Sequence, residues 1–192
     1  LRSGGFSFIE LTISIGIFAM LTAMLTFGYG SLNSRVNVDT LAHNIGQWVR
    51  EAQISSMGVK RDSTGNFPPG YGLHFSTQSA TDRAQFIYFH DTNNNKLYDA
   101  GEAESNSPVT LLQGYTVSQI CGEPGGATLC GVAGQTNLAF ADITFARPEP
   151  DAVITGPSGT YSPVRVIVSS PKGINRAVVV YATGQVSIQA AP

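Results

Sequence analysis

The chain begins with a long apolar run and continues with a helical pattern of apolar positions. From Phe6 to Gly30 the only formally charged residue is Glu10, and about 20 apolar residues suffice to cross the hydrocarbon core of a bilayer. Beyond residue 30, apolar residues recur every three or four positions and charged residues fall largely between them. This spacing predicts one helix over residues 6–57 with an amphipathic second half. The expected core positions of that half are Val38, Leu41, Ile45, Trp48, Val49 and Ala52.

After the helix, the pattern changes to short strands. Pro68, Pro69 and Gly70 break any helix, and the apolar runs that follow are separated by Gly, Pro, Ser, Thr and Asn, as is typical of antiparallel sheets. In one run the alternation shifts phase at Ala141 and Asp142, which predicts a β-bulge. The expected fold class is α+β, with a long helix packed on an antiparallel sheet. The predicted strands are 71–76, 85–90, 109–120, 138–145, 164–169, and a last hairpin of 177–181 and 185–188 that turns at Thr183-Gly184.

The same patterns divide the chain into an apolar helix at 6–30, an amphipathic helix at 31–60 and a globular β domain at 61–192. The formal net charge is −2, and the chain has no block rich in lysine or arginine. A basic surface that would attract a polyanion is therefore not expected. The chain is predicted to associate with a membrane through one segment and to have no nucleic-acid partner.

An acidic and amide-rich segment, residues 91–102, has the oxygen spacing of a twelve-residue calcium loop. It departs from that pattern at loop position 6, where Lys96 replaces the usual glycine, and strands flank it in place of helices. A weak calcium site and a solvated polar turn both remain open. The expected calcium ligands are Asp91, Asn93, Asn95, the carbonyl of Leu97, Asp99 and Glu102.

Two cysteines, Cys121 and Cys130, lie nine positions apart in a glycine-rich stretch. In an exported domain this arrangement favours a disulfide that closes a short loop, and two free thiols are the alternative. No CxxC motif or nearby histidine completes a metal-ligand set.

The chain has no recognisable catalytic motif. His43, His74 and His90 do not form HExxH or another metal-ligating spacing, and neither GxSxG nor a P-loop is present. His43 is expected on the polar helix face, and the other two are expected to be ordinary surface or sheet residues. We therefore predict that the protein is not an enzyme, since a membrane-tethered hydrolase would need a convergent acid, base or nucleophile.

Gly5, Phe6 and Glu10, followed by the unbroken apolar run, resemble the class III signal of type IV pilin-like proteins. In that family prepilin peptidase cleaves after the glycine, the new terminal residue is N-methylated, and a glutamate stands at the fifth mature position. The resemblance implies cleavage between Gly5 and Phe6, N-methylation of Phe6 and a residual leader peptide at residues 1–5. It also implies that Glu10 pairs with the terminal amine of a neighbouring subunit, which would satisfy two buried charges. A position among the lipid headgroups is the alternative for this carboxylate.

Within that family the chain is most similar to minor pilins and pseudopilins of the GspH/FimT type. The similar parts are residues 41–60, the acidic loop and residues 173–188. The resemblance implies a pilin-like fold and a structural subunit of a type IV pilus or a type II secretion pseudopilus. The subunit would cross the bacterial inner membrane once before it enters a periplasmic pseudopilus or an extracellular pilus. The implied partners are other pilin or pseudopilin subunits, prepilin peptidase and the inner-membrane assembly platform.

A filament-tip adhesin or a DNA-uptake subunit is the alternative function for the same anchor. Some DNA-binding members of the group carry an arginine-rich end to the last hairpin. Here that place reads GQVSIQ, with no arginine after Arg176. The residues therefore favour a structural subunit over a DNA-binding one.

Overall fold

A computed structural model describes residues 5–62, 65–112, 114–122 and 137–191. These residues form one long helix, one short helix and strands in two antiparallel sheets. The expected α+β class is confirmed at this level. The elements are α1 Phe8–Met57, β1 Gly70–Ser76, α2 Ala80–Arg83, β2 Gln85–Asp91, β3 Val109–Thr110, β4 Thr116–Gly122, β5 Phe140–Ala146, β6 Ala152–Gly156, β7 Gly159–Thr160, β8 Val164–Ser169, β9 Asn175–Val180 and β10 Val186–Ala190.

The strands are divided between two sheets. One sheet has six strands in the order β3-β2-β1-β5-β6-β7, and the other has four in the order β10-β9-β8-β4. All the paired strands run antiparallel. The sequence predicted antiparallel pairing but not the division into two sheets.

Helix α1 connects the two sheets. It begins two residues later than predicted, continues through Gly28 and Gly30, and ends at the predicted residue, Met57. It contacts β1 and β5 of the larger sheet and β8, β9 and β10 of the smaller one. The predicted core positions are buried, except that Trp48 is only partly buried against the core. The amphipathic second half is therefore confirmed.

Both faces of the larger sheet are buried near its centre. Ile143 and Phe145 of β5 face the core shared with α1, while Asp142 and Thr144 of the same strand are 1% and 0% exposed on the opposite face. A Cβ atom at Gly72 would lie only 2.8 Å from the ring of Phe89. Glycine at this position therefore lets that aromatic ring lie flat over the outer face.

The β-bulge predicted at Ala141 and Asp142 is wrong. The register between β1 and β5 is continuous from one end of the pair to the other. The apparent phase shift arises because β5 is buried on both faces, so polar residues and apolar residues alike are covered. An irregularity lies instead in β4, between Val117 and Gln119.

The run 109–120, predicted as one strand, forms two strands in different sheets. Gly114 has a φ of +82°, and the Tyr115 N–H donates to the Leu112 carbonyl at 2.9 Å. Glycine adopts this left-handed conformation at little steric cost. The resulting turn carries the chain from β3, which pairs with β2, to β4, which pairs with β8.

The remaining differences concern short elements. The pattern did not predict β6, β7 or α2, of which the last two have only two and four residues. The last hairpin is confirmed: Gly184 has a φ of +77°, and its N–H donates to the Tyr181 carbonyl at 2.9 Å.

Cys121 is buried at the end of β4. Its predicted partner, Cys130, lies outside the described residues, so the disulfide stays a prediction.

The packing of α1 can be tested with two isoleucines on the same helix. Ile45 is fully buried, whereas Ile54 is 66% exposed. Ile45→Ala should lower the free energy of unfolding by about 2–5 kcal/mol, because it removes buried methyl groups and leaves a cavity. Ile54→Ala should change it by less than about 0.5 kcal/mol. Urea unfolding of the full chain in detergent, followed by Trp48 fluorescence, measures both values, and equal losses would contradict the orientation of the helix.

Candidate functional site

The first functional segment is the exposed apolar half of α1. Residues Phe8–Thr26 have a mean hydropathy of 2.0, and none of this stretch is buried inside the molecule. At 1.5 Å per residue it is about 28 Å long. This part of the helix is long and apolar enough to cross a membrane.

The hydroxyl groups in this segment are satisfied by the helix itself. Ser14 donates to the Glu10 carbonyl at 2.7 Å, and Thr22 donates to the Phe18 carbonyl at 2.8 Å. Thr12 and Thr26 bond to carbonyls three and four residues earlier in the same way. These polar side chains therefore add little cost to an apolar environment, where an unmade hydrogen bond is expensive.

Glu10 is the exception in this half of the helix. It is the acidic residue of the first turn, where the partial positive charge of the helix N-terminus favours a carboxylate. Its side chain is exposed, and within the described residues it makes no ion pair. A carboxylate in apolar surroundings costs about 2.5–3.5 kcal/mol without a partner. The helix therefore presents one charge that its own fold does not satisfy.

The residues just before α1 are exposed and lie outside the helix. Ser7 has φ −71° and ψ 143°, and its carbonyl accepts hydrogen bonds from the N–H groups of Glu10 and Leu11. Gly5 and Phe6 precede this first turn and are exposed. The backbone between them is thus free of helical hydrogen bonding. Residues 1–4 of the predicted leader lie outside the described residues.

The acidic loop is a second candidate site. It begins at the end of β2 with Asp91, whose carboxylate is fully buried and accepts the N–H groups of Asn95 at 3.1 Å and Lys96 at 3.2 Å. Further along, Asn93 accepts from the Asn95 N–H, and Asn95 accepts from the Leu97 N–H. Oxygen atoms from the first half of the predicted ligand set therefore turn inward toward the backbone of the loop.

The second half of the loop is closed by Glu102 and Asp99. Glu102 is 5% exposed and accepts from the N–H and hydroxyl of Thr92 at 2.9 and 2.6 Å and from the Asp99 N–H at 3.1 Å. Asp99 accepts from the side-chain amides of Asn93 and Asn95, both at 2.7 Å. Backbone N–H, hydroxyl and side-chain amide groups of the loop thus satisfy these carboxylates and hold the loop closed. These hydrogen bonds offset the repulsion between the carboxylates of the loop.

Lys96 adapts to the position where calcium loops carry glycine. Its φ is +65°, so it adopts the left-handed conformation that glycine would otherwise supply. Its ammonium lies 3.5 Å from the Asp91 carboxylate and also contacts Asn94. The loop therefore carries its own cation beside the first predicted ligand. Among the described residues, no group of three or more His, Cys, Asp or Glu side chains is arranged to hold a metal ion.

The loop is fixed on the outer face of the larger sheet through Asp142. This buried carboxylate accepts the Tyr98 N–H at 3.2 Å and lies 2.6 Å from Nδ1 of His74. The Tyr98 ring packs against His74 and Phe89, with centroid separations of 4.9 and 5.5 Å. Burial raises the pKa of the Tyr98 phenol, and the charges of Glu102 and Asp142 raise it further. Sequence reasoning missed the role of Asp142, although the phase shift in β5 was its signal.

A buried polar cluster lies beneath the other end of the loop. The ring nitrogens of His90 lie 3.9 Å from Asp62 and 3.5 Å from Glu104, and all three side chains are at most 8% exposed. Burial, followed by the charges of Glu104 and Asp62, raises the pKa of the nearby Tyr71 to about 12. Sequence reasoning treated His90 as an ordinary surface or sheet residue. It is a sheet residue, on β2, but it is buried between Asp62 in the loop after α1 and Glu104 just beyond the acidic loop.

Comparisons of the chain with protein-family models, curated proteins and solved structures found no match.

The acidic loop can be tested as a calcium site with Asp99, an exposed predicted ligand whose replacement does not open the core. If calcium binds, its dissociation constant should be about 10⁻⁴–10⁻³ M, as in extracellular modules. Calcium at tenfold that concentration should stabilise the folded chain by about 1.4 kcal/mol. Thermal melting of the full chain in detergent, with calcium or with chelator, measures the effect.

Two variants separate a calcium site from a solvated turn. Asp99→Ala should lose the calcium response, while Asp151→Ala, at an exposed position outside the loop, should keep it. An equal response of wild type and Asp99→Ala would mean that the segment is a polar turn.

Proposed function

We propose that this chain is a structural subunit of a type IV pilus or a type II secretion pseudopilus, of the GspH/FimT minor pilin and pseudopilin type. In this proposal prepilin peptidase cleaves between Gly5 and Phe6 and Phe6 is N-methylated. The subunit crosses the bacterial inner membrane once and enters the filament through the assembly platform. Its function is packing and register among neighbouring subunits, and it catalyses no reaction.

The observation that carries the proposal is the single unsatisfied charge on the exposed apolar helix. Glu10 lies in the first turn of α1, next to a segment whose hydroxyl groups are all bonded within the helix. A partner cation must therefore come from outside the described residues if the segment is buried in lipid or protein. The amine of a cleaved neighbouring subunit meets this requirement, because burying both charges together avoids two separate penalties.

Gly5 gives independent support. A Cβ atom built there would meet nothing within 4 Å, so the fold itself does not require glycine at this position. A requirement by a processing enzyme accounts for the residue better than a structural one. The exposed, non-helical backbone at Gly5 and Phe6 is also a form that a peptidase can engage.

The architecture fits a filament subunit with a pilin-like fold. One helix of 50 residues, about 75 Å long, has an exposed apolar half followed by a half packed on both sheets. Assembly of such helices side by side would bury the exposed half and leave the β domain outside. This arrangement favours a filament over a simple membrane anchor, which would not need a continuous helix into the domain.

The polar side chains on the larger sheet support a structural role. Ser76 lies two residues from His74 on β1, but its hydroxyl donates to Asp82 at 3.4 Å. His74 itself contacts Asp142, the residue that fixes the acidic loop. These groups hold a loop and a short helix in place and do not form a nucleophile paired with a base.

The cleavage site can be tested with two glycines that are both sterically free in the fold. Gly5→Leu should abolish removal of the leader, because the peptidase requires the glycine, and the chain should stay in the inner membrane. Gly16→Leu, within the apolar helix and likewise free of contacts, should still be cleaved. Electrophoresis and mass spectrometry of the N-terminus measure the outcome. Normal cleavage of the Gly5 variant would contradict the assigned site.

The role of Glu10 can be tested by removing its charge while keeping its shape. Glu10→Gln should be cleaved and inserted normally but should enter filaments poorly, because breaking a buried ion pair costs about 3–5 kcal/mol. Ser14→Ala, one turn later on the same helix, should assemble normally. The measurement is the amount of each variant in sheared or cross-linked filaments, and undiminished incorporation of Glu10→Gln would refute the pairing.

A further inference from the structure

A groove runs along the side of α1 that faces β2 and β3. Two cavities form it, of about 420 and 350 Å³, and they share Gln47 and Trp48. The two cavities are therefore adjacent, on either side of these shared residues. Trp48 lies at its centre, with its ring 5.4 Å from that of Tyr88 and 6.0 Å from that of Phe86.

One end of the groove already holds a cation. The Lys60 ammonium lies over the rings of Tyr88 and Tyr71, at 5.3 and 5.7 Å from their centroids. The Glu51 carboxylate is 3.7 Å away and is steadied by the Ser55 hydroxyl at 3.1 Å. Aromatic faces and a carboxylate together attract an ammonium or guanidinium group. This end of the groove is therefore built for positive charge.

The cation in this site is held loosely. The side chains of Lys60 and Glu51 are 44% and 48% exposed, and an exposed ion pair of this kind contributes only about 0–1 kcal/mol. Tyr88, in contrast, is buried and packs against Tyr71, with the rings stacked at 5.8 Å. Lys60 can thus leave without disturbing the aromatic wall that it covers.

The other end of the groove is apolar. Leu41, Ile45 and Phe86 form its buried floor, and Leu112 at its rim is 51% exposed. Partly exposed Trp48 and Val109 continue the apolar surface toward the cation site. Partly exposed aromatic residues at the centre of such a surface are typical anchors of protein interfaces.

We propose that this groove binds a segment of a partner protein that presents apolar side chains followed by a lysine or arginine, whose charge displaces Lys60. The apolar side chains would lie against Leu112 and Trp48, and the cation would lie between Tyr88 and Glu51. An anionic segment fits less well, since it would have to draw Lys60 away from the rings and from the carboxylate. The inference does not depend on filament assembly and can fail or hold separately from the proposed function.

Trp48 is the only tryptophan in the chain, so its fluorescence reports occupation of the groove directly. The full chain in detergent is titrated with three peptides: acetyl-Leu-Leu-Lys-amide and the same peptide ending in Gln or Glu. The lysine peptide should change the fluorescence saturably and bind more tightly than the glutamine peptide. Because its cation replaces Lys60 in the same contacts, the difference should be small in the wild type and should reach roughly threefold or more in Lys60→Ala. The glutamate peptide should bind most weakly.

Variants of the two exposed charges make the test specific. Glu51→Gln should lower the affinity for the lysine peptide by roughly threefold. Lys60→Ala should raise that affinity by a similar factor, because the competing ammonium of Lys60 is gone. Glu149→Gln and Lys172→Ala change the net charge equally at exposed positions elsewhere and should leave binding unchanged. Tighter binding of the glutamate peptide, loss of binding in Lys60→Ala, or no saturable change with any peptide would overturn the proposal.

Discussion

The structure depends on the burial of one narrow stripe of α1 between two sheets. Val38, Ile45, Val49 and Ala52 are fully buried, and they belong to a core that also includes strands from both sheets. The helix packs on strands of both sheets and so helps to place them relative to each other. Ala42 and Gly46 are small residues on the same stripe, but the packing does not require glycine at position 46. A Cβ atom at Gly46 would lie 3.4 Å from Val186, an ordinary van der Waals contact.

A second constraint acts on the opposite face of the larger sheet. That face carries Asp142 and Thr144, which would be costly to bury without partners. The acidic loop supplies them: Tyr98 donates its N–H to Asp142, and the Thr144 hydroxyl donates to the Lys96 carbonyl. The loop is therefore part of the fold and not an appendage. Any cation that bound to it would act on a segment already held at Tyr98, so its effect would be to stiffen the loop and not to fold it.

The sequence predicted those features that depend on a regular repeat. The helical spacing located α1 to within two residues at its start and at the correct residue at its end. Strands β1, β2 and β8 lie within one residue of the predicted runs. Their alternation is clear because each has a strongly apolar inner face, such as Tyr71, Leu73 and Phe75 in β1.

The missed features depend on contacts between distant parts of the chain. A two-residue strand such as β7 has no periodicity, and Gly114 reads as an ordinary strand residue until the two sheets are seen. Asp142 appeared to break the alternation of apolar and polar residues in β5. The residue that buries its face of the sheet, Tyr98, belongs to a loop 44 residues earlier in the chain. The candidate site shows the same limit. The spacing of the loop oxygens could be read from the sequence, but not that N–H, hydroxyl and amide groups of the same loop donate to them. The groove around Trp48 arises only from tertiary packing.

The two halves of α1 are energetically separate although they form one helix. Glu10 lies 47 residues before Met57, about 70 Å along the axis, and the apolar half between them makes no buried contact with the domain. Changes at sites this far apart that share no partners usually have additive effects on stability. The β domain therefore folds around the second half of α1, and its folding does not depend on the environment of the apolar first half. In the part of the chain that the structure describes, the helix itself links the exposed charge at one end to the loop and groove at the other. A partner that binds the domain can therefore influence the apolar end by orienting the helix and not by altering its chemistry.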